Sequence, residues 1–302
     1  MKPVVFIHTN AKQELGALVA AHSLRRFSKA PERFDVRILR VEDHAFVTER
    51  EGQPYLRGGR TRVWRNDDLQ SFTPLRFHAP AAAGYTGRAL VIDPDVFAAG
   101  DVLELLERDM EGKALWCRVR PGEGGRKTYF ASSVMLLDCA RLAHWRCPED
   151  FAELFAFRRD YVAWMDLELE DPATIGLFDR VWNDFDHLDP ATRLLHNTKR
   201  RTQPWKTGLP IDFTPADHAL PPPWRRVLRR LSASLRGEPP QGRYRPHPDP
   251  AQEQFFFGLL RGCLDAGEVD EARLREEIRR AHLRPDALEL LGRATPPRAG
   301  AG

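Results

Sequence analysis

The N-terminal half of the chain alternates short apolar runs with amphipathic stretches, and this alternation limits the folds that the chain can adopt. Residues 4–7 and 88–92 are apolar runs with the length of buried parallel strands. Residues 13–27 carry apolar side chains at helical spacing. Because strands that alternate with helices build layered sheets, the pattern predicts an α/β fold with a mostly parallel central sheet.

Other segments extend this pattern. Strands are also predicted at residues 34–41, 114–119 and 133–137. The polar residues 51–68 include Gly58 and Gly59, and this segment predicts a loop. Asp101 precedes a leucine-rich stretch and is suited to cap a helix there.

Two polar segments directly follow predicted strands. Residues 8–10 follow the first strand, and residues 93–95 follow the strand at 88–92. In parallel α/β sheets, ligands bind beyond the carboxyl ends of the strands. The sequence therefore places candidate binding residues in these two segments.

The pattern changes after about residue 210. Proline-rich segments flank an arginine-rich helical stretch at residues 224–235, and two or three helices are predicted between residues 251 and 291. We predict three parts: an α/β domain at 1–215, a helical appendage at 216–295 and a disordered tail at 296–302.

The net charge is small, but the charges are unevenly distributed. The chain has 46 Lys and Arg against 43 Asp and Glu, which gives a formal net charge of +3. Residues 191–245 contain twelve Lys or Arg and three acids, so this segment carries +9 and the remaining residues carry −6. The small total argues against a histone-like protein or one with an acidic tail, and we expect no nucleic-acid partner.

Apolar runs and cysteines bear on the location of the protein. No run of about 18 apolar residues is present, and the first apolar stretch is too short for a signal peptide. Cysteines stand at no metal-ligand spacing; they are Cys117, Cys139, Cys147 and Cys263. We therefore predict a cytoplasmic protein with reduced thiols that serve packing.

Asp93 and Asp95 form the first pattern that could carry chemistry. Residues i and i+2 of an extended chain point to the same side, so both carboxylates can converge on one point. Two hard oxygen ligands suit Mg²⁺ or Mn²⁺. A solvated turn is the alternative interpretation of the same pattern.

Residues 194–206 form the second pattern, because they combine a histidine, several cations and a Pro-Trp pair. His196 could add a nitrogen ligand to a metal, and Lys206 could neutralise a phosphate. The alternative is a basic surface loop that Trp205 anchors.

Five segments in the same order resemble one enzyme family. They are Phe72-Thr73-Pro74-Leu75-Arg76-Phe77, the stretch from Gly87 through Asp93-Pro94-Asp95 to Gly100-Asp101-Val102, Tyr129-Phe130-Ala131-Ser132-Ser133-Val134-Met135-Leu136-Leu137, Trp182-Asn183, and His196 with Pro204-Trp205. This ordered set resembles the motifs of the family-eight glycosyltransferases, which include glycogenin-like and bacterial lipopolysaccharide enzymes.

The resemblance implies a GT-A fold for residues 1–215 and transfer of a sugar from a nucleotide-sugar, usually UDP-linked, with retention at the anomeric carbon. It implies Mn²⁺, or Mg²⁺, as the metal. By position, Asp93, Asp95 and His196 would bind the metal, and Asp93 would also contact the donor. The implied acceptor is an unknown glycan, lipid-linked molecule or protein.

The resemblance also implies roles for other residues. His8, Thr9 and Asn10 would line the nucleotide pocket, with Arg76 near the base or diphosphate; Gln203 stands where the family has a donor-binding lysine. Lys206 is the candidate for the leaving diphosphate, and either Asp166 or Glu168 could replace a catalytic acid of the family.

The motifs depart from the family at two places near the sugar. Ala131 replaces an asparagine and Ser133 replaces a glycine, so sugar recognition is expected to differ. Gln203 replaces the late lysine in a loop that is one residue longer.

Two alternatives remain open. A sugar nucleotidyltransferase could use a similar sheet, although residues 11–16 lack the glycine-rich basic loop of those enzymes. A non-catalytic protein that binds nucleotide-sugars or anionic surfaces is the second alternative. Residues 224–236 have an apolar stripe beside arginines, which suits either a peripheral contact at the inner membrane face or packing on the α/β domain. A dehydrogenase is excluded because no GxGxxG follows a strand.

Overall fold

The computed structural model describes residues 2–122, 127–213 and 242–298, and it contains one large central sheet. In chain order the strands are β1 (Val4–Thr9), β2 (Asp35–Arg40), β3 (Pro54–Arg57), β4 (Arg60–Val63), β5 (Arg88–Ile92), β6 (Val96–Ala98), β7 (Leu115–Arg120), β8 (Tyr129–Asp138), β9 (Ile175–Leu177), β10 (Asp184–Phe185) and β11 (Leu194–His196). The central sheet has six strands in the order β2-β1-β5-β8-β7-β9.

Most pairings in the central sheet are parallel, as the sequence predicts. β1 pairs in parallel with β2 and β5, and β7 pairs in parallel with β9. β8 alone runs antiparallel to its neighbours β5 and β7. Because β8 is the only reversed strand, β1, β5 and β7 all end at the same edge of the sheet. Every residue of β1 is buried, which explains its continuous apolar run.

A second, smaller sheet extends this edge. It has the order β10-β11-β6, and β11 is antiparallel to β6 with His196 opposite Val96. β6 begins directly after Asp95, so this register brings His196 beside the turn that follows β5. Two segments that are about a hundred residues apart in sequence therefore meet through three backbone pairings.

The helices vary greatly in length. In chain order they are α1 (Glu14–Phe27), α2 (Ala45–Thr48), α3 (Ala79–Ala82), α4 (Leu103–Leu106), α5 (Cys147–Phe155), α6 (Tyr161–Met165), α7 (Pro250–Asp265), α8 (Glu271–Arg279) and α9 (Ala287–Arg293). The predicted helix at 13–27 and the predicted C-terminal helices are confirmed. The leucine-rich helix is a single turn, α4, and Asp101 Oδ1 accepts the N–H of Leu103 at its start. Among these helices none is long and apolar enough to cross a bilayer.

The predicted loop at residues 51–68 is wrong, because β3 and β4 form an antiparallel hairpin there. Gly58 and Gly59 make its turn, with φ angles of 60° and 71°. Both angles lie in the left-handed region that glycine adopts without strain, as a tight hairpin turn requires. The glycine pair thus forms a hairpin turn between two strands of four residues each.

The described chain divides into two compact units. Of the described residues, the first unit contains 2–67, 71–122, 127–196 and 298, and the second contains 68–70, 197–213 and 242–297. The predicted boundary at residue 215 and the arginine-rich stretch at 224–235 lie outside the described residues, so both stay predictions. Near the C-terminus, Pro297 lies against Gly258 of α7.

Candidate functional site

Asp93 lies directly after β5, where two basic side chains hold it. Arg76 Nε donates to Asp93 Oδ1 at 2.9 Å, and Arg76 Nη2 donates to Oδ2. His8 Nε2, near the end of β1, lies 2.5 Å from Asp93 Oδ1. Because β1 and β5 are neighbours, the sheet brings His8 beside Asp93, and Arg76 reaches the same carboxylate from outside the sheet.

The charges of this cluster follow from burial and pairing. Burial raises the pKa of the Asp93 carboxyl, but Arg76 and His8 outweigh this effect and hold the pKa well below its ordinary value. Burial lowers the pKa of His8, and the hydrogen bond to Asp93 compensates only in part. Near neutral pH, Asp93 is therefore ionised and a neutral His8 donates its Nε2–H to it.

Arg76 is itself held in place by burial and by a hydrogen bond to Ser132. It lies in a short 3₁₀ segment, Thr73–His78, and is only 8% exposed. Arg76 Nη1 donates to Ser132 Oγ at 2.9 Å, and Ser132 Oγ donates to the carbonyl oxygen of Met165 at 2.6 Å. The planar guanidinium donates a hydrogen bond to each oxygen of Asp93, so it defines the orientation of that carboxylate.

Asp95 and His196 form the other side of the site. His196 Nε2 lies 3.4 Å from Asp95 Oδ1. On the opposite side of the ring, His196 Nδ1 lies 2.8 Å from Asn183 Oδ1, and Asn183 Nδ2 donates to Ser133 Oγ at 3.2 Å. With the amide in this orientation, the imidazole proton belongs on Nδ1, and the Nε2 lone pair faces Asp95.

A distortion of β8 places two serines where they support this site. The pairing of β7 with β8 jumps from Cys117 opposite Met135 to Arg118 opposite Ala131, so residues 132–134 bulge out of the β7–β8 ladder. On the other side of β8, Val134 stays paired with Ile92 of β5. Bulges re-aim the side chains of the strand that contains them. Ser132 contacts Arg76 on one side of the site, and Ser133 contacts Asn183 on the other.

Asp93, Asp95 and His196 offer a donor set that fits a divalent cation. One ligand atom from each lies within 4.8 Å of the others, a spacing that a single ion can span. Asp93 Oδ2 accepts only from Arg76 among the described residues, so it retains a lone pair. The Nε2 lone pair of His196 facing a carboxylate is an arrangement that a cation between them stabilises. Two carboxylates and an imidazole suit Mn²⁺ or Mg²⁺.

Thr9 and Asn10 lie at the end of β1 and are buried. Asn10 Nδ2 donates to Ser71 Oγ at 2.9 Å, and Asn10 Oδ1 accepts the N–H of Lys12. These hydrogen bonds hold the turn that follows β1. Asp93 follows β5, the strand that pairs with β1. His8 is completely buried, and its described hydrogen bond is to the acid.

The turn between Asp93 and Asp95 lies against α1. A β-carbon added to Gly16 would be 2.6 Å from the carbonyl oxygen of Pro94. Only a residue without a side chain allows the helix and the turn to approach this closely.

Asp166 and Glu168 differ in their surroundings. Asp166 is 6% exposed and directly follows Met165, whose carbonyl oxygen receives the hydrogen bond from Ser132. Glu168 is exposed. Of the two candidate acids, Asp166 is therefore the one that is buried and lies next to a residue hydrogen-bonded, through Ser132, to Arg76.

Lys206 and Gln203 belong to the second unit. Both are buried, and Lys206 Nζ lies 2.6 Å from Asp212 Oδ2 and 5.5 Å from the centre of the Tyr244 ring. Burial, with the Asp212 carboxylate adding to it, raises the pKa of Tyr244, whose hydroxyl donates to the same acid. The amine of Lys206 is thus one member of a buried polar cluster.

Sequence reasoning does not single out two residues that support the site. Asn183 orients His196, and the Trp182-Asn183 pair that resembles a family motif is the signal that could have identified it. Ser132 lies in the Tyr129–Leu137 segment that resembles another family motif, but nothing in that segment predicts its contact with Arg76, which arises from the bulge in β8.

Comparisons with known proteins identify similar structures but no similar sequences. No family model matches the chain, and no curated protein matches it. Among solved structures, the glycosyltransferase GlyE of Streptococcus pneumoniae is similar over 68% of this chain, with 15% identity and a TM-score of 0.48. The match covers 56% of GlyE, so it spans little more than half the length of that protein.

Two further solved structures are similar to a comparable extent. The galactosyltransferase LgtC is matched over 67% of this chain and 89% of its own, with 14% identity and a TM-score of 0.46. Mouse xyloside xylosyltransferase 1 is matched over 66% of this chain and 98% of its own, with 15% identity and a TM-score of 0.42. All three are glycosyltransferases, the class that the motif resemblance implies.

Proposed function

We propose that this protein is a GT-A glycosyltransferase that transfers a sugar from a UDP-linked donor and depends on Mn²⁺ or Mg²⁺. The convergence of Asp93, Asp95 and His196 at the end of β5 carries the proposal. The ordered motifs described above support the reaction class, with retention at the anomeric carbon.

The three ligands would hold the ion where a nucleotide diphosphate leaves. When bound, the ion supplies Lewis-acid stabilisation of the negative charge that grows on that diphosphate. Arg76 and His8 keep Asp93 ionised and oriented before the ion arrives. Such preorganisation lowers the cost of forming the site at the moment of reaction.

The remaining candidates act around this centre. Thr9 and Asn10 would contact the nucleotide at the end of β1. Asp166, a buried acid, would stabilise positive charge at the anomeric carbon, whereas the exposed Glu168 is the less suitable candidate. The acceptor would be a glycan, a lipid-linked molecule or a protein. A peripheral contact of residues 224–236 with the inner membrane face would suit a lipid-linked acceptor, whereas packing of these residues on the α/β domain is the alternative.

By the motif resemblance, Lys206 would bind the leaving diphosphate and Gln203 would contact the donor. Because Lys206 Nζ is paired with Asp212, a role at the leaving diphosphate requires that phosphate replaces this carboxylate. The role of Lys206 therefore depends on an exchange of ion-pair partners.

The test is a panel of UDP-, GDP- and dTDP-sugars with and without Mn²⁺, with nucleotide release measured by chromatography. We expect Mn²⁺-dependent release from at least one UDP-sugar, and at least a 100-fold loss in Asp95→Asn, because the substitution removes the negative charge of one ligand of the ion. Asp35→Asn is the control. Asp35 is a half-exposed acid of β2 that pairs with Lys2, and its loss should leave turnover unchanged.

Two results would contradict the proposal. The first is the absence of both turnover and Mn²⁺-dependent binding across the panel in folded protein. The second is pyrophosphate release from UTP and a sugar phosphate, which would identify a nucleotidyltransferase instead.

A further inference from the structure

Asn183 is completely buried, and its side chain joins β8 to β11. Its amide oxygen faces His196 Nδ1 at 2.8 Å, and its amide nitrogen donates to Ser133 Oγ at 3.2 Å. The backbone carbonyl of Asn183 accepts from Arg118 at 2.6 Å, which holds the residue in place. Both polar atoms of the amide and the backbone carbonyl of Asn183 are thus hydrogen-bonded, which holds the side chain in one position.

The orientation of this amide decides which nitrogen of His196 carries the proton. With Oδ1 toward the ring, Nδ1 is protonated and Nε2 presents a lone pair to Asp95. With the amide reversed, Nδ1 would accept a hydrogen bond, and the proton would move to Nε2, which lies 3.4 Å from Asp95 Oδ1. Only the first state can bind a metal through Nε2.

We propose that Asn183, with Ser133 behind it, is the positioning group that keeps His196 in the tautomer able to bind metal. This inference rests on the proposed metal-dependent function. The serine that replaces a glycine of the family motif then has a role, because its hydroxyl receives the amide nitrogen that would otherwise be buried without a partner. The two adjacent serines of the β8 bulge support opposite sides of the site, Ser132 through Arg76 and Ser133 through Asn183.

The test compares three variants at Asn183 and Ser133. Asn183→Leu removes the acceptor at similar volume, Asn183→Asp keeps an acceptor and removes the donor, and Ser133→Ala removes the partner of the donor. Binding of Mn²⁺ alone is measured by electron paramagnetic resonance. We expect a 10- to 100-fold weaker affinity in Asn183→Leu, a loss of a few-fold in Ser133→Ala, and near wild-type affinity in Asn183→Asp.

A second readout reports the tautomer directly. Nitrogen-15 NMR of the imidazole of His196 in metal-free wild type should show protonation at Nδ1, and Asn183→Leu should lose this signature. This measurement needs neither metal nor turnover. A wild type that neither binds Mn²⁺ nor releases nucleotide from any sugar of the panel would therefore refute the proposed function, while the tautomer still decides the role of Asn183.

The control is Asn66→Leu. Asn66 accepts from the indole of Trp64 and donates to the carbonyl of Thr48, so its loss removes two hydrogen bonds without touching His196. Its Mn²⁺ affinity should equal that of wild type. Protonation at Nε2 in wild type, or unchanged Mn²⁺ affinity in folded Asn183→Leu, would overturn the inference. Should Asn183→Leu fail to fold, Ser133→Ala and the wild-type tautomer decide the question.

Discussion

Gly16 occupies a position of α1 where the helix lies against the turn between Asp93 and Asp95. Glycine usually costs a helix about 1 kcal/mol relative to alanine, because it has more backbone freedom to lose. Here the carbonyl oxygen of Pro94 would lie 2.6 Å from an added β-carbon, so an alanine cannot fit without displacement. The glycine therefore lets the turn between the two acids lie directly on the helix.

We expect Gly16→Ala to lower the free energy of unfolding by about 1–3 kcal/mol, the cost of overpacking in a closely packed region. The variant should also weaken Mn²⁺ binding, because displacement of Pro94 moves Asp93 and Asp95 on either side of it. Urea unfolding measures the first effect, and titration with Mn²⁺ measures the second.

Gly292→Ala is the matched control for this prediction. Gly292 lies in α9, and an added β-carbon there would have no atom within 4 Å. Alanine should therefore leave the stability unchanged or raise it by up to about 1 kcal/mol. If both variants changed stability in the same direction and by the same amount, the contact with Pro94 would not be the cause.

For single residues, the sequence predicts candidate metal ligands better than it predicts the residues that hold those ligands in position. Asp93, Asp95 and His196 are predictable as candidates because their side chains have the chemistry of metal ligands. Gly16 looks like any glycine within a helix, and Ser132 looks like any serine within a strand. Their roles depend on which distant residues the fold brings against them, and no local pattern encodes that proximity.

The hairpin of β3 and β4 is joined to α6 by one carboxylate. Asp160 accepts the N–H groups of Gly58 and Gly59 at 3.0 and 2.8 Å. It also caps α6 by accepting the N–H of Val162 at 2.7 Å. Burial raises the pKa of Asp160, but these backbone N–H groups outweigh it, and the pKa lies below its ordinary value. One side chain thus satisfies the amides of two elements.

We expect Asp160→Ala to lower the free energy of unfolding by about 1–2 kcal/mol at pH 7, as loss of an N-cap usually does. The pKa of Asp160 is lower in the folded than in the unfolded state, so the unfolded state takes up its proton first as the pH falls. Its stabilisation is therefore complete well above the ordinary pKa and is lost below it. Chemical denaturation should show that the difference in the free energy of unfolding between wild type and Asp160→Ala becomes smaller as the pH falls from 5 to 3.

Asp171→Ala provides the comparison. Asp171 Oδ1 accepts the N–H of Ala173 at 2.9 Å, where it caps a single turn, Pro172–Thr174. Loss of this one contact should cost about 0.5–1 kcal/mol at pH 7. An equal cost for both variants would show that the two glycine amides of the hairpin contribute nothing measurable.

Elements of the central sheet are predictable because buried strands need continuous apolar runs, as in β1 and β5. The hairpin escapes prediction because β3 and β4 have four residues each and only Tyr55 among these eight is buried, so no apolar alternation marks them. The sequence equally fails to predict the pairing of His196 with Val96, because nothing in the three residues of β11 indicates which strand they pair with.

Over the whole described chain, the four cysteines are buried thiols. Burial raises the pKa of Cys117 and of Cys139 to about 12, and it raises the pKa of Cys147 well above its ordinary value. Cys147 also donates its thiol to the carbonyl oxygen of Pro74. Cys117, Cys139 and Cys147 are therefore protonated, and all four thiols are buried, in agreement with the prediction that they serve packing.

We expect no cysteine of the native protein to react with a disulfide reagent within minutes at pH 8, because thiolate is the reactive form and about one thiol in 10⁴ is ionised at a pKa of 12. All four should react once denaturant unfolds the chain, which absorbance at 412 nm would count. Val63→Cys supplies the positive control, since Val63 is 51% exposed in β4. A wild-type thiol that reacts as fast as this control would mean that a buried cysteine is reached without unfolding, which contradicts the packing around it.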